Sequence, residues 1–81
     1  SDLELQIARQ KLDEELAELT RLYLEQATAE VARLEYPEAC RWAGEALRLG
    51  TAPEPATEAL LECAYWFAET GELDRAWGIL D

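Results

Sequence analysis

Apolar residues recur along this chain at helical spacing, and a few Pro and Gly residues punctuate them. Leu12, Leu16, Leu19, Tyr23 and Ala27 follow one another at steps of three or four, and Leu5 and Ala8 extend the line toward the N-terminus. Ser1 followed by Glu4 has the form of a capping box at a helix start. Nothing breaks the pattern before Pro37, so the spacing predicts one helix over about residues 2–35, on the order of 50 Å long. Arg21 and Glu25 form an i,i+4 pair on its solvent side.

The segment EYPEA is the first break, because Pro37 suits the first turn of a new helix and disfavours helix just before it. A second helix is expected over about residues 37–49, with Ala39, Ala43, Ala46 and Leu47 inward and Gly50 as its C-terminal cap. The turn GTAPEPA follows, then a third helix over about 55–70. Gly71 reads as its stop, and a short fourth helix is expected over 73–80. Connections this short permit only antiparallel neighbours. The fold class predicted is therefore all-α: two antiparallel helical hairpins in series within one domain, residues 1–81, with a long N-terminal helix.

The third helix carries more apolar surface than one core can take. Ala56, Leu60, Cys63, Ala64 and Phe67 form one stripe, while Leu61, Tyr65 and Ala68 recur on a second face more than about 90° away. Tyr65, Trp66 and Phe67 are consecutive, so no single side of a helix buries all three. Phe67 is expected to face the chain's own core, and Tyr65 and Trp66 a partner. Trp42 and Trp77 are expected in the core.

Composition narrows the chemistry. The net charge of −11 argues against nucleic acid or an anionic membrane as partner, and leaves basic or apolar protein surfaces. There is no His, Ser1 is the only serine and Lys11 the only lysine. A Ser-His or Cys-His nucleophile is thus excluded, as are the Glu-x-x-His pairs of di-metal bundles. Glu14, Glu15 and Glu18 read as a solvated face and not as a metal site, and no glycine-rich phosphate loop occurs. No enzymatic activity, cofactor or metal is expected. Cys40 and Cys63 have neither metal nor redox spacing and read as small buried hydrophobes in a reducing cytoplasm. No secretory signal or apolar run of spanning length appears.

The segment ALLECAYWFAETGELDRAWGIL resembles the middle of a tetratricopeptide repeat. Leu60, Cys63, Ala64 and Phe67 match the large, large, small, aromatic pattern of that family's first helix, and Gly71 its turn glycine. Leu73 matches the following large residue and Ala76 the small residue where helices cross. Upstream, YPEACRWAGEALRLG is similar to the second helix of a preceding repeat, with Tyr36, Ala39 and Ala46 at its large, small and small positions. The first unit departs from the pattern: it lacks the turn glycine and has Glu30 or Val31 where an aromatic is usual. The loop before the second unit is longer than the regular spacing, and the last helix lacks the A-L-x-x-x-P ending. The resemblance implies a protein-binding scaffold whose first helices line a concave groove. It places Glu58, Leu61, Tyr65, Ala68 and Glu69 on the groove. Trp66 flanks the core stripe on its other edge and, because its neighbours already fill that stripe, is expected as a partner-binding anchor. The resemblance does not imply a carboxylate clamp, since the chain has no Asn and no Lys beyond position 11.

The function expected from these features is a non-catalytic protein–protein interaction module, with a homo-oligomer, preferably a dimer, as its assembly. Two short hairpins leave residues 3–16 of the first helix projecting, with Leu5, Ala8, Leu12 and Leu16 as candidate self-association residues. Two alternatives stand beside it. One is a monomeric adaptor or chaperone holding a segment of a different, basic protein against Leu61, Tyr65 and Ala68. The other, suggested by the ending GILD, is a piece of a larger helical-repeat protein.

Overall fold

The computed structural model describes the backbone of residues 1–80 and the side chains of residues 1–73. It is all-helical, with three helices: α1 (Asp2–Ala32), α2 (Tyr36–Leu49) and α3 (Pro53–Leu80). Ser1 caps α1, its hydroxyl oxygen accepting the Glu4 N–H at 3.4 Å. Asp2 and Glu4 sit in the first turn, where the helix dipole favours acids.

α1 stops at Ala32, three residues before the expected end. Leu34 adopts a left-handed conformation, φ 62°. The N–H of Leu34 donates to the Val31 carbonyl at 2.9 Å, and the N–H of Glu35 to the Glu30 carbonyl at 2.9 Å. This pair of bonds is a Schellman motif, which normally recruits glycine. Here the two satisfied carbonyls offset the strain of a leucine in that conformation. α2 starts one residue earlier than predicted, with Pro37 in its first turn, and ends as expected at Gly50, φ 74°.

α2 lies between α1 and α3, which scarcely touch each other. Its Ala39, Ala43 and Ala46 are fully buried, and Ala27 of α1 with Ala56 and Cys63 of α3 complete the core. Alanine at these points lets both neighbours approach α2 closely, because axes come near only where side chains are short. Thr20 of α1 and Thr51 after α2 share a hydroxyl–hydroxyl hydrogen bond. Thr20 also donates to the Leu16 carbonyl at 2.8 Å, so the single Thr20 proton is used there and Thr51 is the donor between them. Tyr23 packs on Trp42 with ring centroids 5.5 Å apart. At the far end Leu34, Tyr36 and Pro37 border Phe67, Thr70 and Gly71.

The expected stop at Gly71 does not occur: α3 continues to Leu80, and the predicted fourth helix is its C-terminal part. Glycine lowers helix stability by only about 1 kcal/mol, which the surrounding helix formers outweigh. Ala64, expected in the core, is exposed, and Phe67 is 45% exposed because it lies at the very end of α2. The side chains of Ala76 and Trp77 fall outside the described residues.

Helix lengths then set the shape. α2 has 14 residues against 31 in α1 and 28 in α3. The Thr20–Thr51 contact marks where α2 ends along α1, so residues 2–19 overhang one end and the latter half of α3 overhangs the other. The chain measures 68 × 17 × 14 Å, with a radius of gyration of 17.4 Å. A compact chain of this size has a radius of about 12 Å.

Candidate interaction surfaces

The chain exposes 6291 Å². A compact monomer of 9.2 kDa exposes about 4,900 Å². The surplus, about 1,400 Å², exceeds the roughly 800 Å² that each partner contributes to an interface of standard size. Two surfaces carry large exposed apolar side chains.

The first is the outer side of α3. Glu58, Leu61, Tyr65, Ala68 and Glu69 are all exposed, Leu61 at 66% and Tyr65 at 58%. They project away from α2, as their spacing relative to the buried Ala56 and Cys63 requires. Trp66 stands at the edge of this face and meets Tyr65 edge-on, with centroids 5.2 Å apart. The structure thus gathers the sequence-predicted groove residues on one helix, without a facing wall. The crevice that does form between α1 and α3 is lined by Ala27, Thr28 and Val31 with Ala59, Glu62 and Cys63. Sequence reasoning missed Thr28 and Glu62 there, because isolated polar residues at those positions read as solvent-facing. At about 100 Å³ the crevice is well below the size of a small-molecule site.

The second surface is the N-terminal arm, where residues 1–15 are all exposed. Leu5 and Leu12 are open to solvent, Ala8 is exposed and Leu16 is half-buried. A hollow of about 470 Å³ runs along this arm and has one wall only: Asp2, Leu5, Gln6, Ala8, Arg9 and Leu12. Leu3 and Ile7, also exposed, point to the opposite side of the helix.

Charge is concentrated on the outer faces. Arg21 bridges Glu18 and Glu25, and Arg41 and Arg48 pair with Glu38 and Glu45 on the same helix. The hydrogen bond from Arg21 holds the Glu18 carboxyl below its usual range. Exposed pairs of this kind contribute less than about 1 kcal/mol each, but they tie up arginines and leave the surface acidic. The thiols of Cys40 and Cys63 are free and close together where α2 meets α3. Burial pushes both toward the protonated form, and for Cys63 the neighbouring Cys40 and Glu62 add to the effect. Thiols held protonated are poor nucleophiles.

Among the described residues no group of His, Cys, Asp or Glu is arranged to hold a metal ion, and no helix is long and apolar enough to cross a membrane. Comparison with protein-family models, curated proteins and solved structures finds no match to this chain.

Proposed function

We propose that this protein is a non-catalytic protein–protein interaction module that self-associates through the apolar surfaces its short middle helix leaves uncovered. The observation that carries the reading is the surplus of about 1,400 Å² beyond a compact fold of the same mass. Leu5, Leu12, Leu61, Tyr65 and Trp66 are among the exposed large apolar side chains. Covering such residues contributes roughly 25 cal/mol per Å², a term that a chain with an alanine core needs.

The tetratricopeptide-like reading belongs to the same proposal. Three successive helices with alanine at their crossings support it, and the outer face of α3 corresponds to the binding side that the resemblance implies. On this reading the chain is a pair of hairpins sharing α2, with the later part of the uninterrupted α3 as an extension.

Light scattering after size exclusion, over a wide concentration range, tests the proposal. A mass above 9.2 kDa that falls on dilution is expected. A mass that stays monomeric at every concentration removes self-association. The surviving reading would then be a monomeric adaptor that takes a basic segment of another protein on the Tyr65 face, for which the net charge of −11 is suited.

A further inference from the structure

The one-walled hollow on the arm is the in-line continuation of a site that is filled further along the same helix. At 100° per residue, Leu5, Arg9, Leu12 and Leu16 lie within about 40° of the line through Tyr23 and Ala27. That line is where α2 packs: Ala27 is buried, Tyr23 stacks on Trp42, and Thr20 is tied to Thr51 where α2 ends. Toward the N-terminus the stripe goes on, but α2 does not. Glu14 and Glu18 lie on the opposite side of the arm together with Leu3 and Ile7, and Glu4 and Glu15 lie on its flank. The stripe therefore has the character of a helix-packing seam with its second helix missing.

From this we infer that the missing helix is the same arm of a second copy of this chain, laid antiparallel, so that each arm continues the lane of the other copy's α2. The inference rests on the self-association reading above and specifies its geometry. Three observations select it. Sterically, packed helix axes lie about 8–10 Å apart. If the arms paired in parallel along this stripe, both α2 helices would have to occupy the space between the two α1 helices at the same level. Antiparallel arms put the two bodies at opposite ends, and each copy's α2 acts as a stop for the incoming arm.

That stop also fixes the register. Full overlap of the arm sets Asp2 beside Leu19 of the second copy and Leu5 beside Leu16 of the second copy. Arg9 and Leu12 then share a layer across the two-fold axis. Charge gives the third selection. Arg9 is the one basic residue in the stripe. A parallel pair would set Arg9 against its own copy in the same layer. The antiparallel register sets its guanidinium beside Asp13 of the second copy, less than one helical turn away.

The test uses the full-length chain and light scattering, with dissociation constants from dilution. Leu12 and Ile7 are both exposed, so changing either leaves the protomer's own packing intact. Leu12→Arg is expected to weaken the dimer at least about thirtyfold, since it sets a like charge against Arg9 of the second copy within the seam. Ile7→Glu, on the far side of the arm, should leave the constant within about threefold. Arg9→Glu should weaken it about threefold to tenfold, and the double variant Arg9→Glu/Asp13→Arg should restore it, because each copy then regains its opposite charge across the axis. Added salt should tighten the wild-type dimer by screening two acidic arms. A wild-type monomer at all concentrations overturns both the self-association reading and this geometry. A wild-type dimer indifferent to Leu12→Arg overturns the geometry alone, as does a double variant no tighter than Arg9→Glu.

Discussion

Replacing Gly71 by Ala separates two architectures by the sign of a stability change. In the structure Gly71 sits inside α3 with helical backbone, and a Cβ built there meets nothing within 4 Å. Alanine then adds no clash and removes the conformational freedom that glycine has in the unfolded chain. The gain is about 0.5–1 kcal/mol in helix stability. If the chain instead turned at this residue with a left-handed glycine, alanine would cost about 1 kcal/mol or more. Gly50 provides the reference for that second case within the same molecule. A Cβ there also meets nothing within 4 Å, yet its φ is 74°, so Gly50→Ala loses stability through backbone strain alone. Urea unfolding followed by circular dichroism, at one protein concentration, reads both changes. The expected result is a higher midpoint for Gly71→Ala, with helicity equal to or above wild type, and a lower midpoint for Gly50→Ala. A loss at Gly71 comparable with that at Gly50 would refute the continuous helix and restore a turn between residues 70 and 73.

Three further outcomes follow from the seams and the turns. Leu34→Gly should stabilise the chain by about 0.5–1 kcal/mol, because the Schellman bonds stay and the left-handed strain goes; an unchanged thermal midpoint would refute that accounting. Ala43→Leu should cost about 1–3 kcal/mol by forcing α2 away from a neighbour, whereas Ala68→Leu on the exposed side of α3 should be close to neutral in a thermal melt. Burial keeps the Cys40 and Cys63 thiols protonated in the fold past the point where an unfolded thiol ionises. The folded chain then binds more protons than the unfolded one, so stability is complete below about pH 8.5 and falls as pH rises above it. Cys63→Ala should flatten that alkaline fall, and parallel slopes in variant and wild type would count against it.

The start of α1, the end of α2 and the alanine line of the core were legible because they depend on residues whose physics is local. Ser1, Pro37 and Gly50 act within a turn of their own position, and the alanine line of α2 announces a helix buried on both sides. Leu34 was not legible, since a leucine in the left-handed region is tolerable only through bonds to Glu30 and Val31 that composition does not display. Gly71 misled for the reverse reason. Its turn-forming capacity is real, but nothing in the fold calls on it, and a glycine that is not required to turn remains a weak helix residue. The assignment of Ala64 and Phe67 to the core failed on geometry: a stripe five residues long drifts around the helix, and α2 is too short to cover its far end.

That shortness joins the fold to the proposed function. A middle helix of 14 residues, about 21 Å, cannot cover neighbours of about 46 and 42 Å on either side. Had α2 been twice as long, Leu5, Leu12 and Phe67 would have faced it. Leucines at positions 5, 12 and 16 are costly in a helix that is meant to stand alone in water, because each uncovered side chain forgoes about 1.5–3 kcal/mol of burial. Glu14 and Glu18 lie on the reverse side of the arm, with Leu3 and Ile7. On the proposed reading, the 18 residues of α1 beyond the chain's own core meet a second helix. α2 then leaves room for that helix in the antiparallel direction only.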